Sequence, residues 1–239
     1  MNSMKADSLA RKKKGPIADR SKVPAERPGQ PGGRRDTNRK ERTKALSDAA
    51  LALFLERGIE AVTIEDITTK AGVAKGSFYR YFDDKTGLTE ALFAPVAAEV
   101  LHMFDDSIAK IKTAKTKEDA FLSYEVIAEC LGKILLSEAD VVLLYLQENK
   151  APAEGARAPA RTLATLISEK AIEHTKYARE HGLLRSGIPP ELSTLTVIGA
   201  AERLLFGVLA GENVGGEVWE IPGALITLIL DGIRAPDAK

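Results

Sequence analysis

Apolar residues recur along this chain at the three- and four-residue spacing of an α-helix. The first stripe predicts a helix over 38–57 and is formed by Leu46, Ala49, Ala50, Leu53 and Phe54. No stretch after Lys85 alternates apolar and polar residues with the two-residue period of a strand. The further predicted helices cover 64–71, 74–81, 85–111, 117–136, 138–149, 158–181, 190–210 and 217–234. The sequence therefore predicts an all-α fold.

Charge is distributed unevenly along the chain. The whole sequence has 34 basic and 34 acidic residues, but residues 1–44 contain 14 Lys and Arg against 5 Asp and Glu. One end therefore attracts polyanions, and the rest of the chain is acidic. Residues 1–36 also hold four prolines and almost no periodic apolar residues. We interpret 1–36 as a disordered basic arm, which either tracks DNA or is a solvated tail or an expression remnant.

The segment from Thr63 to Phe82 has the pattern of a helix-turn-helix motif. Thr63 and Asp66 have the spacing of a capping box, which predicts a helix start at this point. Gly72 can adopt the positive φ that a tight turn needs. A small core shared by the two helices would contain Ile64, Ile67, Ala71, Val73, Phe78 and Phe82. The second helix of such a motif can enter the major groove of DNA.

The second of these helices is rich in groups that recognise nucleic acid. The side chains able to donate hydrogen bonds to phosphates or bases are Lys75, Ser77, Tyr79, Arg80 and Tyr81. Gly76 costs about 1 kcal/mol relative to alanine, which close approach of a sugar-phosphate strand or a tight helix contact would offset. Lys85 opposes the dipole of the helix that it starts, unless a phosphate binds there. Asp83 and Asp84 are alternative partners for Lys85.

These residues carry a family resemblance. The stretch GIEAVTIEDI (58–67), continued by AGVAKGSFYRYF (71–82) and Lys85, resembles the DNA-binding domain of the TetR family of bacterial transcription regulators over about 38–93. The resemblance implies a three-helix DNA-binding domain at 37–84 and a larger helical effector-binding and dimerisation domain at 85–239. Repression relieved by a small molecule is the usual activity of this family.

The same resemblance implies individual DNA contacts. Thr63 and Lys85 would touch phosphates, and the second helix would lie at the groove. The predicted DNA-contact residues are Thr63, Lys75, Gly76, Ser77, Tyr79, Arg80, Tyr81 and Lys85. Ala74 replaces a polar residue that many members have, and Glu65 occupies a position from which some relatives read a base. The base preference of relatives therefore does not transfer.

The acidic body contains two long apolar helices near its end. The predicted helices at 190–210 and 217–234 can pair with their counterparts across a two-fold axis, or they can close the core of a single chain. The resemblance favours a homodimer through both helices. The candidate residues lining an effector pocket are His102, Met103, Phe104, Tyr124, Ile127, Cys130, Leu131, Leu143 and Tyr145. Few charges interrupt these apolar faces, so we expect an apolar or amphipathic effector.

Several function classes receive no support from the sequence. Cys130 is the only cysteine, so no intramolecular disulfide is possible, and a cytoplasmic location is expected. Uninterrupted apolar runs such as 141–146 are far shorter than the roughly 20 residues that span a bilayer, so we expect no membrane-spanning helix. No catalytic motif is present, and His174 and His181 lie too far apart to share a metal ion. The sequence indicates neither an enzyme nor a metal or cofactor site.

The leading prediction is a ligand-responsive homodimeric repressor that binds a palindromic DNA operator and is released by a small effector. One alternative is an architectural or nucleoid protein without small-molecule input. Another is a peripheral protein that uses the basic arm and amphipathic helices on anionic membrane surfaces.

Overall fold

A computed structural model describes residues 33–184, 186–213, 220, 221, 223–225 and 227. Within these residues the helices are α1 (Arg34–Arg57), α2 (Ile64–Lys70), α3 (Lys75–Phe78), α4 (Lys85–Thr113), α5 (Lys117–Ser137), α6 (Ala139–Glu148), α7 (Ala158–Glu180) and α8 (Pro190–Leu209). A short 3-10 turn, Gly155–Arg157, precedes α7. The all-α prediction is confirmed.

Helix boundaries follow the capping signals in the sequence. The side chain of Thr63 accepts a hydrogen bond from Asp66 N, and the Asp66 carboxylate accepts one from Thr63 N, so the predicted capping box starts α2. Asp84 caps α4 through Gly87 N, and Thr116 caps α5 through Asp119 N. Each cap satisfies a backbone donor that the first turn of a helix leaves without a partner.

Two predicted helix boundaries differ from the structure by three residues or more. α1 begins at Arg34, so the last residues of the predicted arm are helical; an ion pair of 3.0 Å between Asp36 and Lys40 supports this first turn. α3 ends at Phe78 instead of residue 81, because the amides of Arg80 and Tyr81 bond three residues back and tighten the chain into 3-10 turns.

Two predicted segments lie wholly or mostly outside the residues that the structure describes. Residues 1–32 of the predicted arm lie there, as does most of the predicted helix at 217–234.

One apolar core continues from the small N-terminal unit into the body. Leu46, Phe54, Ile67, Phe78 and Leu88 are fully buried in it, together with residues of α6 and α7. α4 packs against α5 and α7, while α8 lies against α6 and α7. A helix that belongs to both units, α4, thus connects the helix-turn-helix to the body.

By length and composition alone, α4 and α8 could each cross a membrane. α4 is the central packed helix of the body, whereas only 11% of the most apolar stretch of α8 is buried. The exposed apolar face of α8 therefore lacks a covering element among the described residues.

Candidate DNA-binding face and effector cavity

The helix-turn-helix is held by the small core that the sequence predicts. Ile67 and Phe78 are fully buried, and the rings of Phe78 and Phe82 lie 5.6 Å apart. Gly72 turns the chain with φ of 65°, a conformation that L side chains rarely adopt. These contacts fix α3 on α2 and determine which face of α3 is free.

The free face of α3 carries most of the predicted DNA-contact residues. Lys75, Gly76, Tyr79 and Arg80 are exposed, with 51% of Tyr79 accessible, while Ser77 and Tyr81 are half-buried. A Cβ atom added at Gly76 would meet no atom of the described residues within 4 Å. A tight helix contact within the chain therefore does not explain this glycine.

An arginine that the sequence analysis missed lies beside this face. Arg42 of α1 lines one surface hollow together with Ser77, Arg80 and Tyr81. Arg80 also donates a hydrogen bond of 3.0 Å to Ser77 Oγ. No sequence spacing indicated Arg42, because α1 and α3 come together only through tertiary packing.

Glu65 partly neutralises the same face. Its carboxylate accepts a hydrogen bond of 3.1 Å from Lys75 Nζ across the two helices. Both side chains are exposed, so the pair is weak and readily exchanged for other partners. An incoming phosphate therefore competes with Glu65 for Lys75.

Lys85 and Thr63 bond to groups of the protein itself, whereas the sequence analysis expected both to contact phosphates. Lys85 Nζ donates to the carbonyl oxygens of Ile59, Glu60 and Val62 at 2.8, 3.2 and 2.9 Å, and its side chain is only 18% exposed. All three ammonium protons are thus used to hold the loop between α1 and α2. Thr63 Oγ1 is exposed, but it donates to Asp66 Oδ2 at 2.7 Å. The free donors of the face are consequently on α3 and not on these two residues.

The body encloses a mainly apolar cavity of about 230 Å³ between α4, α5, α6, α7 and α8. This volume is slightly below the roughly 300–1,000 Å³ of typical small-molecule sites. The predicted residues that line it are Met103, Phe104, Tyr124, Ile127, Leu131 and Tyr145.

Three predicted pocket residues lie elsewhere. His102 is exposed and pairs with Asp106 at 2.9 Å, one turn along the outer face of α4. The half-buried thiol of Cys130 faces the Glu99 carbonyl oxygen at 3.8 Å, and burial raises the pKa of this thiol. Leu143 is half-buried and is absent from the lining. These three residues therefore do not line this cavity.

The lining also contains polar residues that the sequence analysis missed, chiefly His174 of α7 and Glu202 of α8. His174 Nε2 lies 3.0 Å from Ser123 Oγ, and the ring meets Tyr124 edge to face at 4.9 Å between centroids. Burial lowers the pKa of His174 to about 4 and raises the pKa of Tyr124. Both groups are therefore neutral at physiological pH.

Glu202 forms a second polar cluster in the lining. Its Oε1 accepts hydrogen bonds from Tyr145 Oη at 3.0 Å and from Asn149 Nδ2 at 2.8 Å. Lys150 Nζ lies 2.5 Å from the other carboxylate oxygen. Burial, followed by the charge of Glu202, raises the pKa of Tyr145. The carboxylate is thus neutralised by Lys150 and bound by two further donors.

The end of α6 joins the cavity to the DNA-binding unit. Glu148 is 6% exposed, and its Oε1 accepts a hydrogen bond of 2.9 Å from the backbone N–H of Ile59, in the loop after α1. Arg157 Nε lies 3.4 Å from Glu148 Oε2, and Arg157 N donates to Glu60 Oε1 at 3.3 Å. We call Ile59, Glu60, Glu148 and Arg157 the interdomain joint.

A glycine with a positive φ lies beside the interdomain joint. Gly155 has φ of 57°, and a Cβ atom there would lie 2.8 Å from Glu60 Oε1. The positive φ favours glycine at this position, and a side chain there would also displace the end of the Glu60 side chain.

Among the described residues, no group of three or more His, Cys, Asp or Glu side chains is placed to hold a metal ion.

An exposed second helix in a helix-turn-helix, carried by a helical body with an internal cavity, defines a class of DNA-binding regulators. Residues 46–92 match the family model described as "Bacterial regulatory proteins, tetR family". The helix-turn-helix unit of this chain thus matches the DNA-binding region of that family, and the chain is similar to transcription regulators of the family.

Relatives agree with this assignment over most of the chain. The HTH-type transcriptional repressor KstR2 of Rhodococcus jostii is 24% identical over 204 residues, which are 84% of this chain and 96% of that protein. The ketosteroid transcriptional regulator KstR2 of Mycobacterium tuberculosis has a TM-score of 0.61 at 16% identity, covering 82% of this chain and 96% of that one. FadR of Bacillus subtilis, solved with stearoyl-CoA, has a TM-score of 0.60 at 16% identity, covering 80% and 98%. These solved structures share the fold.

Proposed function

We propose that this chain is a homodimeric repressor that binds a palindromic operator and releases it when an apolar or amphipathic effector occupies the cavity. The observation that carries the proposal is the exposed face of α3, with open space at Gly76, connected through α6 to the cavity. Such a protein acts in the cytoplasm, where it reaches the chromosome.

The DNA contacts in this proposal come mainly from α3. Lys75, Tyr79 and Arg80 supply donors for phosphates and base edges, with Ser77 and Tyr81 at the edge of the face. Gly76 lets the backbone approach the sugar-phosphate strand. Lys85 takes the role of holding the preceding loop in place, and Thr63 that of capping α2.

Dimerisation is supported by the uncovered face of α8. Leu192 and Leu195 are 60% and 51% exposed, although exposed clusters of large apolar residues are uncommon on a monomer surface. A second copy that pairs through α8 and the predicted helix at 217–234 would bury this face. The pair must then place its two α3 helices about 34–36 Å apart to enter successive major grooves.

Communication between cavity and DNA is supported by α6. Tyr145 lines the cavity and Glu148, three residues later, bonds to the loop that connects α1 to α2. A ligand that displaces Tyr145 therefore shifts an atom that positions the DNA-binding unit. Effector release requires only that the ligand bind one arrangement better than the other.

The relatives support a large apolar effector class. KstR2 is named for ketosteroids and FadR was solved with stearoyl-CoA. The mainly apolar lining of this cavity fits molecules with a substantial hydrocarbon part.

Two experiments test the DNA-binding proposal. The first selects bound sequences from random DNA, and the second compares two glycine variants. Sequences bound from random DNA should converge on a palindrome, and analytical ultracentrifugation should give a dimer. Gly76→Ala should weaken operator binding at least fivefold while the protein stays folded. Gly132→Ala is the matched control, since that α5 glycine also has open space around it but lies in the body. Equal operator affinity of both variants would contradict backbone approach at α3.

A further inference from the structure

The cavity contains two buried polar groups whose hydrogen-bonding capacity is not used by the described residues. Tyr124 and His174 both line it, and they are 6% and 3% exposed. Their rings are in contact, so the two groups form one of two polar clusters in a mainly apolar lining. What they can bind follows from their protonation.

The hydrogen bonds of Ser123 determine the tautomer of His174. Ser123 Oγ donates its only proton to the Ala120 carbonyl oxygen at 2.7 Å. With that proton given to Ala120, Ser123 Oγ accepts at the 3.0 Å contact with His174 Nε2, and we assign the ring proton to Nε2 on this basis. The other ring nitrogen, Nδ1, is left as a lone-pair acceptor, and it has no donor partner within the described part of the chain.

Tyr124 provides the complementary group. Its hydroxyl makes no hydrogen bond to any described residue, so it can donate a proton to a ligand. A ligand that bonds both groups uses a donor and an acceptor that the described residues leave open.

The cavity offers no net charge to a ligand. Among its described lining residues Glu202 is the only carboxylate, and it pairs with Lys150. Thr194 and Glu202 both line the cavity from α8. They lie eight residues apart, which is about 12 Å along the helix axis. The space between the two polar clusters is apolar. A charged headgroup at Tyr124 and His174 would lose its hydration without a counterion.

On the basis of the proposed repressor function, we infer that the cavity selects an uncharged apolar molecule with a terminal hydroxyl group. A hydroxyl donates to His174 Nδ1 and accepts from Tyr124 Oη at once, which a carbonyl, a carboxylate or an ammonium group cannot do. The hydrocarbon part then extends along α8 toward Tyr145.

The test compares ten-carbon probes that differ only in their headgroup. 1-Decanol, decanoate and decylamine are titrated into the full-length protein by calorimetry, and operator release is measured in parallel. The inference expects 1-decanol to bind at least tenfold more tightly than either charged probe. Tighter binding of decanoate or decylamine would overturn it.

Two tyrosine variants locate the headgroup. Tyr124→Phe removes a hydroxyl without a protein partner, so the fold is retained, and 1-decanol affinity should fall roughly three- to tenfold. Tyr177→Phe is the control, because Tyr177 lies on α7 outside the cavity lining, and it should leave the affinity for 1-decanol unchanged. Unchanged 1-decanol affinity in Tyr124→Phe would overturn the inference.

The same experiment separates this inference from the proposed function. Operator release by decanoate or decylamine alone would leave the repressor proposal standing and refute the hydroxyl class. No binding by any probe, with operator binding intact, would count against the cavity as an effector site and so against both.

Discussion

Replacing Lys85 with methionine distinguishes a structural lysine from a phosphate-binding one. The ammonium donates three hydrogen bonds to the loop carbonyls of Ile59, Glu60 and Val62, and the side chain is only 18% exposed. Methionine keeps an unbranched apolar stem of similar length but cannot donate. The loop would lose its three shared contacts, and its carbonyls would have to find water.

The expected cost follows from these bonds. Hydrogen bonds to charged groups contribute about 1.5–3 kcal/mol each, but three bonds from one ammonium share its desolvation cost, so we expect a total loss of about 2–4 kcal/mol. Chemical denaturation of the full-length protein measures this loss as a lower midpoint with an unchanged slope. Lys75→Met is the matched control, since Lys75 makes one exposed pair with Glu65 and contributes little to stability.

Salt dependence of operator binding supplies the second readout. A lysine that neutralises a phosphate contributes a slope of about 0.9 in log K against log salt, or about 1.8 for two protomers. The structural role predicts that Lys85→Met destabilises the protein but leaves this slope unchanged once the folded fraction is accounted for. Lys75→Met should flatten the slope and leave the stability unchanged. A flattened slope with unaltered stability in Lys85→Met would refute the reasoning.

Three further predictions concern the joint, the buried histidine and the α3 face. Glu148→Gln should lower the free energy of unfolding by about 1–3 kcal/mol and weaken effector-induced release; an unchanged effector response would exclude Glu148 from the coupling. His174, whose pKa falls from 6.5 to about 4 on burial, stabilises fully above pH 6.5, and denaturation should show its contribution, on the order of 3 kcal/mol, being lost as pH drops toward 4. His174→Phe should flatten that dependence, whereas His102→Gln should not. Tyr79→Phe should reduce operator affinity with an unchanged melting temperature, and a large drop in that temperature would place Tyr79 in the core.

The local parts of this fold could be predicted from the sequence because their causes are local. The Thr63 and Asp66 capping box and the Gly72 turn involve residues within a few positions of one another. The burial of Phe78 and Phe82 follows from helical spacing across one turn. Tertiary packing agrees with these local preferences, so the predicted helix-turn-helix forms where the pattern placed it.

The partners of polar residues could not be predicted in the same way. Lys85 meets carbonyl groups more than twenty positions earlier, and Glu148 meets Ile59 across 89 residues. These contacts depend on how α4 and α6 lie against the loop after α1. The sequence does not distinguish His102 from His174. The packing of α4, α5 and α7 leaves His102 exposed and buries His174 beside Tyr124.

The short length of α6 makes it an effective link between the two sites. Tyr145 and Glu148 are three residues apart, about 4.5 Å along the helix axis, so a rigid helix cannot move one without moving the other. Allosteric couplings are typically about 1–3 kcal/mol, which is comparable with the free energy of one hydrogen bond to a charged group. The bond from Ile59 N–H to Glu148 is of this kind and is buried. In the proposed mechanism, a small displacement of α6 that stretches this bond would favour a different position of the DNA-binding unit, without unfolding either domain.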